Sequence, residues 1–212
     1  MEPCSIVYFS MSLKNILNKY DVPILAGLIL LPCVSLIALP VYIYYYGIVW
    51  QEPLLLVIGW FVAGMGITMG YHRLFSHRTF KTYPLIEWIF MLSGSMALQN
   101  TIIDWCSDHR RHHKRLDTED DPYSITKGFF HAHIGWVVKK NNNKCSGVSD
   151  LRKKSAVKFQ TKYYWAIALF SLFVLPVIIG SLYGRPFGGL LWGGILRVTL
   201  VHHCTFFINS LC

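Results

Sequence analysis

Charge is what this sequence has least of. Only 15% of its 212 residues are Asp, Glu, Lys or Arg, against roughly 25% in an ordinary soluble domain. Acidic residues are the scarcer sign, 11 against 20 Lys and Arg, which leaves a formal net charge of +9. Paired cysteines are absent. Cys4, Cys33, Cys106, Cys145, Cys204 and Cys212 include no C-x-x-C, so neither a zinc knuckle nor a disulfide framework is indicated. The N-terminus, MEPCSIVYFSMSLKNILNKYD, lacks the basic start, short apolar core and cleavage site of a signal peptide, so the first helix is expected to insert directly. No haem or flavin motif, internal repeat or low-complexity segment appears. No nucleic-acid-binding motif accompanies the basic excess either, and nucleic acid is excluded as a partner.

What is there is hydrophobic, 53% of the chain. Residues 24–50 carry no charge and exceed the ~20 needed to cross a bilayer. Tyr42, Tyr44, Tyr45, Tyr46 and Trp50 sit at the far end of this run, where an aromatic belt belongs. Uncharged runs follow at 53–71 and 163–184, and 187–211 forms a fourth with Arg197 inside it. Residues 85–103 are apolar too, but both flanks are strongly basic and belong on one side, so this stretch is expected to dip in and return. Sixteen of the 20 Lys and Arg fall between Tyr71 and Lys162. That bias places the loop region on the cytosolic side with both termini. The fold class expected is an all-α integral membrane protein, a single domain over 1–212. It has four spans in two hairpins, about 24–46, 53–71, 163–184 and 187–211, and a cytosolic polar region at 72–162. Residues 5–17 fit a short interfacial helix or a disordered tail. Gly66 with Gly70, and Gly189 with Gly193, have spacings that allow close helix packing.

Seven of nine histidines lie within residues 71–136. Five form two boxes, His72 and His77 in YHRLFSH, and His109, His112 and His113 in DHRRHHK. On a helix turning ~100° per residue, His112 and His113 lie within about 60° of His109, so one face carries all three. His72 and His77 diverge by about 140° on a straight helix and meet one site only if the helix ends or bends, or if they serve two metals. Neutral imidazole is the commonest metal ligand, and all-histidine ligation fits iron or zinc. Five histidines exceed the three protein ligands of a catalytic zinc site, which favours two metals.

These boxes resemble those of the integral-membrane fatty acid desaturases, most of all the delta-9 stearoyl/acyl-CoA group and its bacterial relatives. GYHRLFSHRTFK, LQNTIIDWCSDHRRHHK, DPYS, GFFHAHIGW and TFFINS match in order, from about Ile24 to Cys212. The resemblance implies a di-iron enzyme that uses O2 to insert a cis double bond into a saturated acyl chain carried by CoA or a lipid. An external electron carrier, a ferredoxin or a b-type cytochrome, would supply the electrons. The resemblance implies His72, His77, His109, His112 and His113 as iron ligands, with Asn209 reaching a metal through water. It implies that Gln99, Trp105 and Thr205 bend the acyl tunnel, and that Asn100 and Asp108 sit near the acyl thioester. His131 and His133 are read as structural. Family membership further implies the plasma membrane if the source is bacterial and the endoplasmic reticulum if it is eukaryotic.

Two departures matter. Animal acyl-CoA enzymes carry an arginine where this chain has Ser107, which favours an acyl-lipid or acyl-carrier substrate. The family also has a ligand histidine one residue past Cys212 and a third box beyond it, so five of about nine ligands are present. The chain is read as a fragment that inserts but does not desaturate. The rival readings are a membrane di-iron hydroxylase, a metal transporter, whose ligands belong near the midplane, and a non-catalytic remnant.

Overall fold

The structure, a computed structural model, describes residues 19–140 and 145–211. The stretch expected as an interfacial helix, with Cys4 and Cys212, lies outside them. Six long helices carry the fold: α1 (Val22–Tyr46), α2 (Gln51–His77), α3 (Pro84–Ser95), α4 (Ile102–Lys114), α5 (Ser155–Leu182) and α6 (Pro186–Leu211). Among the described residues there is no strand, only an isolated bridge between Tyr20 and Lys139. Helices α1, α2, α5 and α6 are long and apolar enough to cross a membrane. The protein is therefore an all-α integral membrane protein.

Local chemistry sets several boundaries. Asp21 caps α1 by accepting from the Ile24 N–H at 3.4 Å, and Pro23 sits in the first turn, where a missing N–H costs nothing. Pro32 and Pro40 lie inside α1 without ending it. Thr101 caps α4 by accepting from the Asp104 N–H at 3.1 Å, and the Asp104 carboxylate takes the Thr101 hydroxyl at 2.7 Å. α3 has 12 residues, a rise of ~18 Å at ~1.5 Å per residue, well short of a ~30 Å hydrocarbon core. That length is too short for a span.

Two helices run past the apolar stretches that mark their spans. The helix of the second does not stop at Tyr71. It runs on as one helix to His77, with Gly66–His77 wound as a π-helix. The helix of the third begins at Ser155, eight residues before the charge-free run, and changes direction at Tyr163 (φ −114°, ψ 15°). Both extensions are polar turns of helix that continue past the apolar length, which hydropathy alone does not register.

The small-residue spacings do what they suggest. A Cβ on Gly66 would collide with the backbone of Ser93 and Gly94 in α3, and one on Gly70 would lie 2.9 Å from Phe90 Cβ. Gly180 of α5 and Gly189 of α6 are in backbone contact, a Cβ on Gly180 reaching 2.9 Å from Gly189 Cα. At the membrane end away from the histidine boxes, Glu52 is fully buried. It accepts from Tyr42 Oη at 2.7 Å and Val49 N at 3.2 Å, and Arg185 donates to the Tyr46 carbonyl at 2.8 Å. A buried carboxylate is tolerated in such a place only with partners, and this set ties one hairpin turn to the other.

Between α3 and α4 the chain turns through Met96–Thr101. Leu98 (φ 53°) and Asn100 (φ 72°) are both left-handed. For non-glycine residues this costs roughly 1–2 kcal/mol each, so the surrounding contacts must hold the turn.

Candidate metal centre

The π-winding of α2 decides the first box. An i→i+5 hydrogen bond sets residues five apart one above the other. With this winding, and with α2 ending at His77, His72 and His77 come to one site, their ring centroids 4.5 Å apart. α4 lies across this end of α2. Arg110 locks the two together by donating to the carbonyls of Phe75 (2.7 Å) and Ser76 (3.0 Å), while pairing with Asp150 at 2.7 Å. Arg78 joins the same carboxylate at 2.9 Å. Burial pushes the Asp150 carboxyl upward, but the bonds and charge of Arg110, with Arg78, outweigh it and hold the group below its ordinary value.

The result is a four-imidazole cluster. One ring nitrogen from each of His72, His77, His109 and His113 lies within 4.8 Å of the others. His109 Nε2 is 2.9 Å from His77 Nε2 and 3.1 Å from His113 Nε2. A neutral ring nitrogen has one N–H or one lone pair, so it satisfies one such neighbour and not both. A shared cation satisfies all of them. The donor set, neutral nitrogen with no thiolate, suits iron.

The environment keeps His109 and His113 neutral. Burial, then the neighbouring histidines, lower His109 to about 2, and His113 is lowered for the same reasons. In the unfolded chain each takes a proton near ~6.5. Below that pH the unfolded state binds protons that the folded state refuses, so stability falls as pH falls, over the window from about 6.5 toward His109's folded value. His131 and His133 are lowered mainly by burial and act in the same direction. The metal-free protein in detergent is expected to melt at progressively lower temperature from pH 7 to pH 5. A flat melting temperature across that range would contradict this electrostatic picture.

His112 leaves the cluster. Its ring centroid stands 6.3 Å from that of His109, against 4.6 Å for His113, and its Nδ1 faces both oxygens of Asp121 at 2.9 Å. Asp121 is fully buried and also accepts from the backbone N–H of Asp117 (3.0 Å) and Tyr123 (3.1 Å). An ionised Asp121 takes the Nδ1 proton and leaves Nε2 with its lone pair, as second-shell carboxylates do at metal-bound histidines. Tyr123 Oη stands 2.9 Å from His109 Nδ1 and orients that ring. Burial and the nearby Asp121 raise the Tyr123 phenol, which stays protonated. The sequence offered DPYS as a match only. The orienting roles of Asp121 and Tyr123 depend on a loop fold that spacing does not reveal.

The cluster opens on a cavity of about 1900 Å³. Leu28, Met65, Ile67 and Val201 line its apolar part, and Arg111, Lys114, Lys127 and Lys139 its polar mouth. Three residues expected to bend a tunnel are joined in its wall. Trp105 Nε1 donates to Gln99 Oε1 at 3.3 Å, and Gln99 Nε2 donates to Thr205 Oγ1 at 2.9 Å. Trp105 stacks on His109 at 4.8 Å, so this chain of bonds ends against the cluster. Asn100, Asp108 and Asn209 line the same cavity; Asp108 pairs with Arg111 at 2.7 Å, and Asn100 donates its N–H to Tyr164 Oη at 2.9 Å. Ser107 is buried with its hydroxyl on the Ser146 carbonyl at 3.0 Å.

The remaining histidines bind elsewhere. His131 Nε2 meets the Pro122 carbonyl at 3.1 Å. His133 lies between His203 Nδ1 (3.1 Å) and Ser210 Oγ (3.0 Å), joining the polar region to α6.

The fatty acid desaturase family model matches residues 24–211. The chain is 39% identical over 191 residues to a probable acyl-CoA desaturase of Schizosaccharomyces pombe, covering 85% of this chain and 40% of that protein. It is 36% identical over 170 residues to the delta(9)-fatty-acid desaturase fat-6 of Caenorhabditis elegans, covering 76% and 50%. It is 34% identical over 158 residues to an sn-1 stearoyl-lipid 9-desaturase of Anabaena variabilis, covering 73% and 56%. The chain thus spans about half the length of the curated relatives it matches.

Proposed function

The chain belongs to the fatty acid desaturase family, and from that premise we propose that it is the membrane part of an O2-dependent fatty acyl desaturase of delta-9 type. The single observation that carries this reading is the four-imidazole cluster set against the Trp105–Gln99–Thr205 wall of a cavity large enough for an acyl chain. His72, His77, His109 and His113 would hold iron directly. His112 would present Nε2 to a second ion, and Asn209 would reach a metal through water. When bound, a pair of irons supplies the O2 chemistry that removes hydrogen from unactivated methylenes. The balance is one O2, two electrons and two protons consumed, two waters formed, and one C–C single bond made double.

The protein's own residues supply position and environment. The apolar wall excludes water, and the Trp105–Gln99–Thr205 chain gives the bend that holds one pair of methylenes beside the histidines. Asp121 fixes the His112 tautomer, and Tyr123 orients the His109 ring. The mouth carries Arg111, Lys114, Lys127 and Lys139, where the carrier of the acyl group, CoA or a lipid, would lie. Electrons come from an external carrier, a ferredoxin or a b-type cytochrome.

The test is expression of the whole protein in a host lacking its own delta-9 activity. Monounsaturated chains with a cis double bond at carbon 9 are expected. Hydroxylated chains in their place would favour the oxygenase relatives of this chemistry and overturn the reading. The histidine end is placed in the cytosol, because the basic residues cluster there. A membrane-impermeant thiol reagent is therefore expected to leave Cys145 unlabelled in intact cells and to label it in inverted membranes. Ready labelling in intact cells would reverse the topology.

A further inference from the structure

The strained turn between α3 and α4 is gripped by two side chains of α6, Arg197 outside the large cavity and His202 in its wall. Arg197, 1% exposed, donates to the carbonyl of Met96 at 2.5 Å. It also donates to Gly193 at 2.6 Å within its own helix and to Ser171 of α5 at 3.1 Å. His202, 9% exposed, stands with Nε2 at 2.9 Å from the Ala97 carbonyl and 3.2 Å from that of Leu98. Together the two side chains hold three successive carbonyls of the turn, those of Met96, Ala97 and Leu98. Those carbonyls precede Gln99, whose side chain is the middle link of the bent cavity wall.

A guanidinium inside a membrane span is expensive and marks a function by default, and Arg197 donates to three carbonyl oxygens, one in its own helix and two outside it. Room is made for it, since a Cβ on Gly59 of α2 would lie 2.7 Å from Arg197 Cδ. On the other side, α5 holds the end of the same turn. Tyr164 Oη accepts from Asn100 N at 2.9 Å, and Gln160 Oε1 from Ile102 N at 2.9 Å. Two left-handed residues, Leu98 and Asn100, persist between these grips. Such strain survives only where surroundings over-determine it, and it concentrates at functional sites.

We propose that Arg197 and His202 are positioning residues that set where along an acyl chain the reaction falls. They hold the Met96–Leu98 carbonyls, and so place Gln99 and Trp105 at a fixed depth against His109. Arg197 touches neither the cluster nor the large cavity; it acts through the wall. The inference rests on the acyl-cavity reading above.

The test needs a readout of depth that does not depend on turnover. Trp105 supplies it, because it lies in the cavity wall stacked on His109. In the purified whole protein, its fluorescence is taken as the difference from a Trp105→Phe variant. Quenching is measured with stearate brominated at carbons 6 and 7, 9 and 10, or 11 and 12. The wild type is expected to be quenched most by the 9,10 probe. Arg197→Met and His202→Leu are expected to flatten this profile or move its maximum, and to raise the share of misplaced double bonds by about threefold or more, since small misplacements carry large rate effects. His202→Gln keeps an N–H donor and should restore the wild-type profile.

A wild-type profile in Arg197→Met and His202→Leu would overturn the proposal. So would weaker binding with an unmoved maximum, which is what a merely structural residue gives. Where Arg197→Met fails to accumulate, Arg197→Lys keeps the charge with fewer donors; an intermediate profile is expected, and an unchanged one refutes the clamp. A wild type that shows the 9,10 maximum but forms no double bond contradicts the desaturase reading alone, while the profiles still decide the clamp.

Discussion

His109→Ala is expected to empty the metal centre. His109 is the ring on which the cluster converges, with His77 and His113 nitrogens at 2.9 and 3.1 Å and Trp105 stacked on its face. Removing it deletes a ligand and also the platform that holds Trp105. Iron in the purified whole protein should fall to background and monounsaturated product to the limit of detection. The protein should still reach the membrane, because insertion depends on apolar length and not on metal. His131→Ala is the useful contrast. His131 bonds a backbone carbonyl and stands outside the cluster, so iron content should stay near wild type. Equal iron in wild type and His109→Ala would show that the cluster is not the site.

Asp121→Asn is expected to produce the next largest effect. The carboxylate is fully buried and holds His112 Nδ1 with both oxygens while taking two backbone N–H groups. Asparagine keeps the shape but loses the charge and one acceptor. One buried donor is then unpaired, at roughly 1–3 kcal/mol. His112 also loses the partner that fixes its tautomer, and such second-shell losses typically weaken metal binding by ~10–100-fold. Competition for iron against a chelator measures the second effect and a melting curve the first. An iron affinity unchanged from wild type would place His112 outside the metal centre.

Much of this was legible before any coordinates. Apolar run length marked the four spans, and charge on both flanks marked α3 as a segment that returns. Histidine spacing picked out every member of the cluster. What failed to show was local winding. The 140° divergence of His72 and His77 assumes a regular α-helix, whereas α2 is π-wound where Gly66 lets it press against α3. That is a tertiary effect, with no signature in spacing. Likewise three histidines on one face of α4 read as one set, but His112 is drawn away by Asp121, nine residues on through a folded loop. No motif or spacing singles out His202. Its partners, the carbonyls of Ala97 and Leu98, lie about a hundred residues earlier and belong to a turn whose strain no pattern announces.

The central claim is that the converging imidazoles hold iron. X-ray absorption at the iron edge of the purified, iron-loaded whole protein tests it most directly. The account predicts a first shell of nitrogen and oxygen with the outer-shell signature of several imidazoles, diminished in His109→Ala. A sulfur shell, or a spectrum that His109→Ala leaves unchanged, would contradict it.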